Sequence, residues 1–157
     1  MSKLNRRRML QTTALGGVGF WALGGVQLAE ARAANDKLNV AFVGVGGMGS
    51  GNLNGVAACE GVNVVALCDI DEDRLGKAGE RHAKANKYTD YRQMYDKEKT
   101  IDAVVVSTPD HSHAPAAVRA LRAGKHVYCE KPLTWAVNEA RLMKKLAAEK
   151  KVATQMG

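Results

Sequence analysis

Cysteine is scarce in this 157-residue sequence, with only Cys59, Cys68 and Cys129. Their number is odd and no CxxC or Cys/His metal spacing occurs, so neither a disulfide framework nor a zinc ribbon is indicated. Two of the three close apolar runs, and small buried thiols are the expected state. Aromatic residues are also few, 5% of the chain. No basic stripe with interleaved aromatics occurs, so nucleic acid is not an expected partner. The apolar stretch from Ala14 to Ala29 carries five glycines and is too short and weak to span a bilayer comfortably. The rest of the chain has no internal repeat and no low-complexity linker.

Charge is unevenly distributed. The formal net charge is +7, from 23 basic and 16 acidic residues. Residues 1–34 hold Lys3, Arg6, Arg7, Arg8 and Arg32 against the single acid Glu30, leaving 18 basic and 15 acidic residues over 35–157. That body is nearly balanced, and the whole chain's 46% hydrophobic and 25% charged residues are ordinary for a soluble α/β protein. The first 34 residues read as an address. "NRRRMLQ" precedes a Gly-rich apolar run and then small residues with A-x-A spacing, the pattern of a secretory signal peptide. Cleavage is expected after Ala31 or Ala33; an uncleaved membrane anchor is the alternative. Arg6-Arg7-x-Met9-Leu10 resembles the twin-arginine signature, with Asn5 and Gln11 in place of the usual Ser and Lys. The expected partner is then the twin-arginine export machinery, and the expected location periplasmic or otherwise exported. Folding before export would suit cofactor loading and unpaired thiols.

From Asn35 the pattern alternates strand and helix. "KLNVAFVGVG" is a nearly continuous apolar run, the mark of a strand buried on both faces. A glycine-opened helix over "GMGSGNLNGVAAC", a strand over "VNVVALCDI" and a polar helix over "DEDRLGKAGERHAKAN" follow. "YTDYRQMYDK" reads as a short strand or loop and a helical turn. "IDAVVVSTP" is a strand, "HAPAAVRALRAG" a helix stopped at Gly124, "KHVYCEKP" a strand entering a turn. "WAVNEARLMKKLAAEKK" predicts a strongly amphipathic helix and "VATQM" a last strand. This order predicts an α/β fold, a parallel sheet with crossover helices, over residues 35–157.

"GVGGMG" stands at the first strand-to-helix junction as Gly44-x-Gly46-x-x-Gly49, with Gly47 and Met48 inside the turn. The first glycine permits a tight turn, the second lets backbone approach a pyrophosphate, and the third lets helix pack on strand. The following helix start offers free N–H groups to the phosphates. Asp69 ends the second strand 20 residues after Gly49, where a carboxylate can accept from an adenosine ribose. The same carboxylate repels a 2′-phosphate and Ile70 supplies no compensating charge, so NAD is expected over NADP.

Two further strand ends carry polar groups: "STPDHSHAP" and "EKP". Ligands of open α/β sheets sit beyond such ends. His111 and His113 form an H-x-H pair, but two imidazoles need a further ligand and none is evident, so no metal is expected. Asp110 or Ser112 could cap the next helix.

Together, "GVGGMGSG", "LCDID", "DAVVVSTPDHSHA" and "GKHVYCEKPL" resemble the Gfo/Idh/MocA oxidoreductases over about Leu38 to Gly157. The resemblance implies a Rossmann domain holding NAD(P) and a second, α+β domain forming the substrate site. It implies that Lys131 faces nicotinamide and substrate and takes part in proton transfer, often beside a histidine of the second domain. Pro132 resembles a proline preceded by a cis peptide bond. Thr108 and Pro109 resemble the loop near the nicotinamide, His113 the histidine opening the next helix, and Glu130 belongs to the same cofactor-facing motif. A sugar- or polyol-like substrate and a homo-oligomer are expected of the full-length protein. Family members continue for roughly 200 residues more, the size of an ordinary second domain. This chain is therefore expected to be the N-terminal part of a larger enzyme, inactive alone. Two alternatives stand: a glycosidase using NAD for transient oxidation, and a non-catalytic nucleotide-binding sensor or regulatory subunit.

Overall fold

The computed structural model describes residues 37–157. The leader expected over residues 1–34 lies outside the described residues. Six strands and five helices alternate: β1 (Leu38–Val43), α1 (Met48–Ala57), β2 (Val62–Cys68), α2 (Glu72–Arg81), β3 (Asn86–Tyr88), α3 (Tyr91–Lys97), β4 (Ala103–Val106), α4 (His113–Arg122), β5 (His126–Cys129), α5 (Val137–Lys150) and β6 (Thr154–Met156). All strand pairs are parallel, in the order β3-β2-β1-β4-β5-β6. This is the doubly wound Rossmann order, and its direction reverses between β1 and β4.

β1 from Val40 onward and the whole of β4 are apolar because both faces are covered there. Val40 and Phe42 of β1 pack with Leu53, Leu67, Leu75, Ala78 and Val105 beneath α1 and α2. Ala41 and Val43, the alternate residues, pack with Val104, Val106, Met94, Leu121, Met143 and Leu146 beneath α3, α4 and α5. Phe42 is wholly buried, and truncating such a phenyl to alanine costs about 3–5 kcal/mol. On α4, Ala116, Ala117 and Ala120 are all buried; their small side chains let the helix lie close on β4 and β5.

Local chemistry sets most boundaries. Asp71 caps α2, its carboxylate accepting from Arg74 N–H at 3.1 Å. Asp90 caps α3 by accepting from Arg92 N–H at 2.8 Å. Gly124 ends α4 with φ +72°, and Lys125 N–H donates to Ala120 O at 3.0 Å.

Four expectations need correction. The helix read through Asn86 stops at Arg81, because Asn86 pairs with Ala66 as the first residue of β3; sheet pairing overrides local helix propensity. Neither Asp110 nor Ser112 caps α4 through its side chain. A 3₁₀ turn over Asp110–Ser112 leads into the helix, and Ser112 N–H donates to Pro109 O at 2.8 Å. The last helix begins at Val137 and fully buries only Met143 and Leu146, while Trp135 stays 72% exposed. Its start is fastened by Glu139, which accepts from Ala136 N–H at 3.0 Å. Cys59 is exposed past the end of α1, whereas Cys68 and Cys129 are buried where their strands end.

Candidate functional site

Each central strand hands its last ladder bond to its neighbour. Gly44 N–H donates to Cys68 O (2.8 Å), Ser107 N–H to Val43 O (2.8 Å), Glu130 N–H to Val106 O (3.0 Å), and Gly157 N–H to Cys129 O (2.9 Å). These bonds align Gly44, Ser107, Glu130 and Gly157 in a row along the carboxyl edge of the sheet, with the topological switch at Gly44 and Ser107.

The glycine turn is built by close backbone approach. Gly44 has φ +84°, and a Cβ there would lie 2.6 Å from Ser107 O. A Cβ on Gly49 would collide with the Gly44 carbonyl. Gly49 N–H and Ser50 N–H donate back to Gly46 O (2.9 Å) and Gly47 O (3.1 Å), closing the first turn of α1. Gly47 has open space around it and Met48, which starts α1, is 64% exposed.

Asp69 ties this turn to the end of β2. Its Oδ2 accepts from Val45 N–H at 2.9 Å and its Oδ1 from Asp71 N–H at 3.0 Å. Each oxygen keeps a further lone pair for a ligand hydroxyl. Asp69 is thus a structural part of the turn as well as a candidate ribose acceptor.

Gly44, Gly46, Asp69, Ile70, Thr108 and Pro109 line one cleft of about 440 Å³, with His111 at its wall. The Thr108 Oγ1 inside this region is buried and has no hydrogen-bond partner. A buried hydroxyl without a partner, beside glycines whose missing side chains keep backbone accessible, fits a polar nucleotide cofactor. Another groove, of about 560 Å³ between α3 and α4, lies away from the strand ends and has no such turn.

His113 is placed differently. Its ring is buried, with Nδ1 2.7 Å from Pro132 O and Nε2 2.7 Å from Thr108 O. It bridges the two loops that follow β4 and β5. Glu130 is 9% exposed, Lys131 is exposed, and the Lys131–Pro132 peptide is cis. Glu130 Oε1 accepts from Asn52 Nδ2 (2.9 Å) and Tyr128 OH (3.2 Å), and Oε2 from Lys131 N–H (3.2 Å). Donation from Asn52 is the chief reason the Glu130 carboxyl is held below its ordinary range. Burial pushes the Cys68 and Cys129 thiols up to about 12, which removes both as nucleophiles at neutral pH. Among the described residues no group of three His, Cys, Asp or Glu side chains is arranged to hold a metal ion.

Three residues here are not among the site residues expected from the sequence. Arg74 of α2 lies over Gly46, with its Nε 3.0 Å from Asp71 Oδ2, and brings a cation to the cleft. Asn52 of α1 and Tyr128 of β5 converge on Glu130. The one available signal was a polar Asn52 beside Leu53 on a helix that must pack against the sheet.

Residues 38–157 match the Gfo/Idh/MocA family, described as an oxidoreductase family with an NAD-binding Rossmann fold. The chain belongs to this family. It is 38% identical over 121 residues to an inositol 2-dehydrogenase of Salmonella typhimurium (strain LT2), a match covering 76% of this chain and 35% of that protein. It is 32% identical over 162 residues to a glycosyl hydrolase family 109 protein of Shewanella pealeana, covering 87% of this chain and 35% of the relative. Among solved structures, GenD2 from gentamicin A biosynthesis, in complex with NAD, superposes with TM-score 0.74 and 30% identity over 80% of this chain and 36% of its own. The chain therefore spans about a third of the length of the relatives it matches.

Proposed function

We propose that this family member is the cofactor-binding part of an NAD-dependent oxidoreductase acting on a polyol or sugar-like alcohol. The observation that carries the reading is the single row of strand ends, with the glycine turn and Asp69 at its switch point and Lys131 directly after Glu130 in that row. A bare nucleotide sensor has no need of that lysine. Similarity to an inositol 2-dehydrogenase supports the substrate class.

The N–H groups at the start of α1 would hold the pyrophosphate, Asp69 a ribose hydroxyl, and the Thr108 hydroxyl a polar group deeper in the cleft. Asp69 favours NAD over NADP by charge repulsion with a 2′-phosphate; Arg74 stands near but is engaged by Asp71. NAD, when bound, supplies the hydride acceptor. Lys131 stands exposed at the edge, able to hold or move a proton at the alcohol oxygen. Water exclusion and substrate contacts would come from a further domain, so residues 37–157 alone bind NAD without turnover. The leader pattern of residues 1–34, ending just before the family match begins at residue 38, supports export by the twin-arginine route.

A second reading has its own support: similarity to a glycosyl hydrolase family 109 protein favours transient oxidation with cleavage of a glycosidic bond. One set of measurements tests both. Calorimetric titration should show NAD binding more tightly than NADP; binding of neither ends the proposal. In the enzyme with its substrate domain, inositol-type polyols should drive NADH formation, and Lys131→Ala should lower turnover at least ~100-fold. Sugar release without NADH accumulation selects the second reading.

A further inference from the structure

The residue that holds the Lys131 turn lies far from it in sequence. Asn52 sits in the second turn of α1, and its amide nitrogen carries two hydrogens. That nitrogen donates to Ser107 Oγ at 2.9 Å and to Glu130 Oε1 at 2.9 Å. It therefore fastens α1 to the ends of β4 and β5 at once. Glu130 passes the constraint on, since its Oε2 accepts from the backbone N–H of Lys131 at 3.2 Å. Glu130 as a residue is only 9% exposed and its carboxylate is held by three donors, so water does not readily replace a lost one. Gly157 stands against the same group: a Cβ there would lie 2.7 Å from Glu130 Oε1. The carboxylate is thus enclosed by α1, β5 and the end of β6.

We propose that Asn52 is a positioning residue for Lys131: it anchors the Glu130 carboxyl group, and that group fixes the backbone from which the Lys131 side chain departs. The inference rests on the reading of Lys131 as the group that handles the alcohol proton. It gives α1 two tasks. The glycine-rich start of the helix sets the cofactor phosphates, and its second turn sets the lysine. One rigid element would then hold both in register, which is how a site keeps reacting groups at a productive separation.

The test is amide hydrogen exchange at Lys131 in the 157-residue chain, with the amides of β4 as internal reference. Asn52→Leu should speed Lys131 exchange about tenfold, the effect of one lost hydrogen bond to a buried charge, and leave β4 unchanged. Asn52→Asp, nearly isosteric, should do at least as much because it replaces the donor by a like charge. In a Glu130→Gln background neither substitution should add further, since the coupling runs through Glu130. In the enzyme with its substrate domain, Asn52→Asp should lower kcat about tenfold with KM for NAD within about twofold. Unchanged Lys131 exchange overturns the proposal. So does exchange that rises together with β4, which marks general loosening, an effect additive with Glu130→Gln, or an unchanged kcat. Failure of the unsubstituted chain to bind NAD would sink the functional reading instead, and the exchange result would still decide the role of Asn52.

Discussion

The turns after β1 and β5 lie on the same edge of one sheet, yet they are held in opposite ways. The glycine turn is specified by atoms that are missing: Gly49 presses on the Gly44 carbonyl, and Gly44 on Ser107 O. Its side-chain tie among the described residues, Asp69 to Val45 N–H, spans 24 residues. The lysine turn is specified by donors that are present. Asn52 reaches Glu130 from 78 residues away, and the His113 ring stands against Pro132 O from 19 residues away. A backbone that excludes a methyl group cannot yield, whereas a carboxylate with three donors loses them one at a time. The first turn should therefore fail abruptly and the second by degrees.

Gly49→Val is the hardest test of that contrast. Its Cβ would meet the Gly44 carbonyl, which is backbone, and Ser107 Cβ at 3.1 Å. NAD affinity should fall by more than about 100-fold, and stability by about 1–3 kcal/mol or more, read by calorimetric titration and urea unfolding. Gly51→Ala, two residues along the same helix with nothing within 4 Å, should leave NAD affinity unchanged and add about 0.5–1 kcal/mol of stability. Equal effects at the two positions would show that helix propensity, and not the collision, governs the turn.

The same contrast explains what could be read from the sequence. The glycine spacing and Asp69 are visible because their geometry is local to one strand-turn-helix unit and one neighbouring strand. The parallel sheet is visible because β1 from Val40 onward and β4 are apolar and largely buried on both faces. Asn52 is invisible because its function depends on register across α1, β4 and β5, which no local pattern encodes. The ring of His113 is engaged at both nitrogens by loop carbonyls, a place that its spacing in H-x-H does not reveal. The end of α2 is set by Asn86 joining β3, again a pairing between distant segments.

Graded behaviour at the lysine turn should appear as pH dependence. Glu130 has its folded pKa held below the ordinary value of 4.5, chiefly by the Asn52 donor. A carboxyl group depressed in this way contributes stability that is fully present above its unfolded pKa and is lost as pH falls through the folded value. Glu130→Gln removes that charge. It should cost about 1–3 kcal/mol near pH 7, the range for hydrogen bonds to a buried charged group. It should also flatten the acid limb, so that urea midpoints of the two chains converge as pH drops below 4.5. Asp90, held low by its hydrogen bonds from Arg92, is common to both chains and drops out of the difference. Parallel acid limbs would mean that Glu130 carries no linked stability, and the lysine turn would then be as rigid as the glycine turn.

The smallest effect lies where the two halves of the sheet agree. Cys68 ends β2 beside Asp69, and Cys129 ends β5 beside Glu130, each at a strand end next to an acid. Burial raises both thiols to about 12, and the neighbouring carboxylate adds to the shift in each case. At pH 8 about one part in ten thousand of either is thiolate, so reaction with a thiol reagent must wait for opening of the fold. Cys59 is exposed beyond α1. A disulfide-exchange reagent should therefore find one fast thiol in the folded chain, and three in urea. If β5 lies at the looser end of the sheet, Cys129 should emerge before Cys68 as urea is raised through the sub-transition range. Each strand borders a three-residue edge strand: β5 the wholly exposed β6, and β2 the strand β3, whose Tyr88 is half-buried. Simultaneous emergence would mean that the whole sheet opens as one unit, and that the contrast between the two turns is confined to the loops.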